Sequence, residues 1–243
     1  MSRDGVLDPR PLVRVSVQPG PAGPPDAWPY SIPAVAQLLD EGLELEDLTV
    51  LVGENGTGKS TIVEAVAMAF GLNAEGGSTG ARHETWESES PLHDSLRLTR
   101  GGGASKWGYF LRAETMHGLF TYLQSTGPGQ DLHARSHGEA FWDLVETSRF
   151  SGGGLFVMDE PEAGLSFDAQ LRLVALLLEL ADRRGAQVLM ATHSPILASV
   201  PGAAVYELTG DGMQRTRWQD LSMVEHHRRY LEAPERYLRH LLE

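Results

Sequence analysis

The sequence predicts an α/β fold: a mostly parallel sheet flanked by helices, with an inserted smaller lobe. Three observations carry this. An apolar run at residues 48–52 leads through a glycine-rich loop into a helix-forming run. A second apolar run, 155–158, ends in Asp159-Glu160. A third, 187–192, follows it after one long helix-patterned segment. Short apolar runs alternating with helical segments read as strands buried on both faces, the mark of a parallel sheet.

The elements follow in order along the 243 residues. Residues 12–17 alternate like a half-exposed strand. A Pro/Gly-rich loop covers 19–29, and 31–39 read as a short helix. The strand at 48–52 and a helix over 62–70 flank the glycine-rich loop, with Gly71 as the helix stop. The pattern loosens over 73–94. Residues 96–98 and 107–111 read as strands, 114–124 and 138–150 as helices. After the strand ending at Asp159, a helix is expected over 167–184, with Leu171, Val174, Leu177, Leu178 and Ala181 on its apolar face and Gly185 as its stop. The strand at 187–192 precedes a hairpin over 205–218, turning at Thr209-Gly210-Asp211-Gly212. Two helices separated by Pro234 close the pattern. The expected organisation is one domain, 1–243, with 76–150 as the inserted lobe.

The loop at residues 53–61 reads Gly-Glu-Asn-Gly-Thr-Gly-Lys-Ser-Thr. Gly53, Gly56 and Gly58 permit backbone angles and close approaches that a Cβ would block. Backbone N–H groups from Asn55, Gly56, Thr57, Gly58 and Thr61 can then turn inward around phosphate oxygens, aided by the positive end of the next helix. Lys59 can reach the β- and γ-phosphates, and the Ser60 hydroxyl can ligate Mg²⁺. Strand, loop and helix stand in the order this motif requires. Asp159-Glu160 then reads as its partner motif: Asp159 for the Mg²⁺ shell, Glu160 to polarise an attacking water.

Composition excludes several classes. The net charge of −13, from 33 acidic and 20 basic residues, argues against a broad charge-driven grip on nucleic acid. Arg228, Arg229, Arg236 and Arg239 cluster near the C-terminus and read as solvated helix faces. With no cysteine, disulfides and cysteine metal sites are excluded. No signal-peptide pattern and no run of about 20 apolar residues is visible, so a cytoplasmic protein without a membrane span is expected.

These motifs resemble the ABC-type branch of phosphate-loop ATPases. Residues 159–166, Asp-Glu-Pro-Glu-Ala-Gly-Leu-Ser, look like a Walker B strand running into a D-loop, and 191–195, Ala-Thr-His-Ser-Pro, like the switch-histidine loop. Residues 136–139, Ser-His-Gly-Glu, look like a shortened signature motif. More narrowly, the chain resembles small stand-alone predicted ATPases related to the heads of recombination and chromosome-maintenance (RecF- and SMC-like) proteins. That match includes Asn73 to Ser78, Phe110-Leu111-Arg112-Ala113-Glu114 and the tail from Pro234. The resemblance implies that His193 contacts the γ-phosphate, and that Ser136 and Gly138 complete the nucleotide site of a partner copy. It also implies that Glu114 stands where the family has the Q-loop glutamine, near the metal. Two departures stand out: Glu139 ends a degenerate signature, and that glutamine is absent.

The expected function is Mg²⁺-dependent ATP hydrolysis driving an ATP-gated head-to-tail homodimer. An unidentified client protein or nucleic acid would read this switch, in DNA maintenance, stress response or phage defence. Glu160, His193 and Lys59 are the expected catalytic residues. Two other outputs stay open: the ATP-binding subunit of a transporter with a separate membrane partner, and a non-hydrolysing nucleotide sensor. Trp28 and Tyr30 are the upstream aromatics that could stack on adenine.

Overall fold

The computed structural model describes residues 8–20, 22–79, 90–112, 142, 150 and 152–242. The helices expected at 114–124 and 138–150, apart from Trp142 and Phe150, lie outside the described residues, as do Glu114, Ser136 and Gly138.

Two sheets organise the chain. The larger has seven strands: β3 (Leu48–Gly53), β4 (Gly77–Ser78), β6 (Gly108–Arg112), β7 (Gly154–Asp159), β8 (Ala186–Thr192), β9 (Ala204–Thr209) and β10 (Gly212–Thr216). Their order is β10-β9-β3-β8-β7-β6-β4. The five central strands are parallel, and the two edges pair antiparallel. The smaller sheet joins β1 (Arg14–Val17), β2 (Leu43–Glu44) and β5 (Leu96–Thr99), all antiparallel. Strand β5 thus belongs with the N-terminal strand, whereas β6 lies beside β7 in the large sheet. The hairpin of β9 and β10 turns at Gly210-Asp211, as the glycine spacing predicts.

Strand side chains alternate between two helix-covered faces. Leu155 and Val157 of β7, with Leu189 and Ala191 of β8, face α2 (Lys59–Phe70), and α1 (Pro33–Glu41) packs into the same apolar cluster. Phe156 and Met158, with Val188 and Met190, face α3 (Phe167–Asp182). The helices are covered on the sides these faces dictate. Gly71, in a left-handed conformation at φ 101°, ends α2 and donates to the Ala67 and Met68 carbonyls. The tail forms α4 (Ser222–Glu232) and α5 (Pro234–Leu242), with Pro234 at the first position of α5.

The apolar face of α3 differs from expectation. Leu173, Leu177 and Leu180 are its buried residues, while Leu171 and Leu178 keep 47% and 37% of their surface exposed. Six consecutive apolar residues, 173–178, place leucine on every side of the helix, so periodicity alone does not pick the inward stripe. The helix also stops at Asp182, short of 184. The Arg183 N–H donates to the Leu180 carbonyl, and Gly185, at φ 77°, turns the chain into β8.

One buried polar side chain fixes the N-terminal segment to the sheet. The Gln187 amide donates to the Leu12 and Glu46 carbonyls at 2.6 and 3.0 Å and accepts from the Leu12 N–H at 2.8 Å. It substitutes for backbone pairing where two segments meet at the strand start.

Candidate nucleotide site

Parallel strands deliver their carboxyl ends to one edge of a sheet, and helices start there. At that edge β3 passes into residues 54–58 and α2 begins at Lys59. Gly58 is the α2 N-cap, left-handed at φ 98°, and no side chain caps it. The first helical hydrogen bond runs from the Ile62 N–H to the Gly58 carbonyl at 2.9 Å, so the preceding N–H groups of the turn have no helical partner. A Cβ on Gly53 would meet the Leu208 carbonyl oxygen at 2.4 Å and Thr57 Oγ1 at 2.9 Å. One on Gly58 would meet Ile32 Cγ2 at 2.8 Å. The loop is a glycine-shaped cradle with N–H donors at a helix N-terminus, which fits phosphate. Gly58→Ala is expected to destabilise the protein by about 1–3 kcal/mol, read as a lowered urea midpoint, from the left-handed angle and the Ile32 clash.

Lys59 is 3% exposed. Its Nζ donates to the Glu54 carbonyl at 2.9 Å, the same oxygen that accepts from Thr57 Oγ1 at 2.8 Å. Burial lowers its pKa from the ordinary lysine value, while Glu160, Asp159 and Glu162 act the other way. A buried ammonium at a helix N-terminus, within the field of the carboxylates at and just past the end of β7, is a charge that can meet an anion. Ser60 and Thr61 are half-buried in the first turn of α2, and Asn55 and Gly56 are exposed at the loop tip.

Asp159 ends β7 and is 5% exposed. Glu160 follows at φ 49°, the one non-glycine with positive φ among the described residues. Its N–H donates to the Ala191 carbonyl of β8 at 3.0 Å, which fixes the kink. Such strain persists only where surroundings hold it, and it concentrates at functional positions. His193, just past β8, brings Nε2 to 3.2 Å from Glu160 Oε1. The two atoms meet without the alignment of a hydrogen bond. The His193 N–H donates to Glu162 Oε1 at 2.6 Å, tying the two loops together.

The loop after His193 is itself braced. Ser194 Oγ accepts from the Ile196 and Leu197 N–H groups and donates to Gln170 Oε1 at 2.6 Å, and Trp218 Nε1 donates to the Pro195 carbonyl at 2.8 Å. Sequence reasoning did not single out Gln170 or Trp218. Their roles depend on which loops meet, and no local pattern encodes that.

The structure thus gathers Lys59, Ser60, Asp159, Glu160 and His193 at one sheet edge. The residues fit a nucleotide with Mg²⁺: N–H donors and Lys59 for phosphate, and a hydroxyl and a buried carboxylate as hard oxygen ligands. Tyr30 is a core residue, with its hydroxyl 3.2 Å from Ser95 Oγ, whereas Trp28 keeps 59% of its surface exposed. Of the two aromatics, Trp28 alone has a ring free to stack.

Comparison with known proteins agrees with this fold. Residues 140–199 match a family model described as "AAA domain, putative AbiEii toxin, Type IV TA system", and residues 39–106 match one described as "AAA domain". The chain is 31% identical over 153 residues to the zinc import ATP-binding protein ZnuC of Vibrio cholerae, covering 60% of this chain and 57% of the relative. It is 26% identical over 156 residues to zinc import ATP-binding protein ZnuC 1 of Aliivibrio fischeri, covering 62% and 60%. The matched stretch therefore spans less than two thirds of those relatives' own length. Among solved structures, "An inward-facing conformation of a putative metal-chelate type ABC transporter" is similar in fold, with TM-score 0.50 and 15% identity, over 90% of this chain and 88% of that one.

Proposed function

The chain has the fold and the sequence matches of the ABC-type P-loop ATPases, and from that premise we propose that it binds ATP with Mg²⁺ and hydrolyses it. The observation that carries the reading is the meeting of Glu160 and His193, 3.2 Å apart, at the sheet edge where Lys59 lies buried. In this reading the loop N–H groups and Lys59 hold the phosphates. Ser60 and Asp159 would hold Mg²⁺, with Glu114 as a further candidate, and the ion would neutralise charge on the phosphate oxygens. Glu160 takes the proton of the attacking water. His193 orients Glu160 and contacts the γ-phosphate. Trp28 is the candidate for stacking on adenine.

The proposed unit is one ATPase domain, 1–243, with 76–150 as an inserted lobe carrying Ser136 and Gly138. In a head-to-tail homodimer these two residues complete the partner's site, as the resemblance implies. Closure on ATP and opening after hydrolysis make a switch, and a client protein or nucleic acid reads it. The test is phosphate release from ATP·Mg²⁺, together with light scattering. Wild type should release phosphate, and a dimer should form with ATP·Mg²⁺ and be lost in Ser136→Arg. A chain that binds no nucleotide overturns the reading. A turning-over monomer overturns the dimer alone.

The ZnuC relatives favour a second reading, the ATP-binding subunit of a transporter. Among the described residues no helix is long and apolar enough to cross a membrane, so that role needs a separate membrane subunit. Co-purification with such a subunit, and turnover stimulated by it, would favour this reading over the stand-alone switch.

A further inference from the structure

Beside the candidate metal carboxylate stands a cation. Arg112 closes β6, and the register of β6 with β7 places it opposite Asp159. Its Nε lies 3.8 Å from Asp159 Oδ2. Its Nη1 donates to Glu64 Oε2 at 2.6 Å and to the Ala74 carbonyl at 3.3 Å. Glu64 lies on α2 four residues beyond Ser60, so both occupy one face of that helix. One guanidinium therefore joins the helix that follows the phosphate loop to the strand that ends in Asp159. All three side chains are largely covered, where charges are weakly screened. The guanidinium keeps its charge at every working pH.

We propose that Arg112 is a resident counter-ion of Asp159 and tunes how strongly ATP binding depends on Mg²⁺. The inference rests on Asp159 being the metal carboxylate of the proposed function. Arg112 compensates Asp159 while no metal is bound, and Glu64, the tighter partner, limits how far it leans that way. ATP arriving alone then meets a carboxylate whose repulsion is already reduced. A divalent ion at Asp159 meets a fixed positive charge, which the nucleotide's phosphates offset. Arg112 thereby lowers the dependence of nucleotide binding on the metal.

The test measures the dissociation constant of a fluorescent ATP analogue in excess Mg²⁺ and in EDTA; the ratio of the two is the metal dependence. Arg112→Met is expected to raise that ratio by about tenfold, since metal-free nucleotide then meets Asp159 without the neighbouring guanidinium. Glu64→Gln is expected to lower it, because the guanidinium turns to Asp159. A residue that only held the fold together would shift both variants in the same direction. Should Arg112→Met leave Glu64 buried without a partner and fail to fold, the double variant Glu64→Gln/Arg112→Met removes both charges and should show the raised ratio. Asp159→Asn separates the layers. Its ratio should collapse towards one. A wild-type ratio in Asp159→Asn overturns the metal assignment and this inference with it. A collapsed ratio there, with the Arg112 variants within about twofold of wild type, overturns the role of Arg112 alone.

Discussion

Glu160→Gln is expected to lower ATP turnover by about 10²–10⁴-fold while ATP affinity stays within about threefold, as removal of a positioned general base does. The substitution keeps the side-chain volume and the left-handed backbone, and the amide can still approach His193, so the geometry at 3.2 Å survives while proton acceptance is lost. Lys59, which meets the phosphates in this reading, is untouched. Phosphate release under single-turnover conditions is the measurement, with fluorescent-ATP binding alongside. Under the head-to-tail reading the variant should also accumulate as an ATP-bound dimer. Turnover within a few-fold of wild type would show that another group takes the proton.

Lys59→Ala should act on the other half of the cycle. Loss of charge-assisted hydrogen bonds to phosphate costs about 3 kcal/mol, or about 100-fold in ATP affinity. The stability effect has the opposite sign. Lys59 has a lowered pKa because burial disfavours its charged form. A lysine that holds its proton less well folded than unfolded costs stability at neutral pH, and that cost fades as pH rises through its folded pKa. Removing the ammonium should therefore leave the nucleotide-free protein as stable or more so at pH 7, and flatten the gain that wild type shows towards alkaline pH. Thermal unfolding with and without ATP·Mg²⁺ reads both effects: a stable variant without the nucleotide-induced shift is expected. A destabilised variant with an intact shift would contradict the assignment.

Much of this site is local in the sequence. Residues 53–61 encode their own turn through glycine spacing, and β7 and β8 are apolar runs flanked by turn residues, legible in isolation. The hairpin announces itself through Gly210 and Gly212. Arg112 is different: it is one charged residue after an apolar run, and only the parallel register with β7 brings it to Asp159. Gln187 likewise looks like a polar interruption in a strand until the segments at Leu12 and Glu46 are in place. The inward stripe of α3 was hidden by surplus leucine, and β2 and β4, two residues each, are too short to show a period. Tyr30 and Trp28 are alike by position in the sequence, and packing against Ser95 separates them.

The kink at Glu160 also bears on how this chain responds to selection in the laboratory. A left-handed glutamate carries conformational strain of about 1–2 kcal/mol that asparagine or glycine would largely relieve. Sequence libraries ranked on heat resistance alone would therefore drift away from a carboxylate at 160, and their most robust members would be the ones least able to turn over.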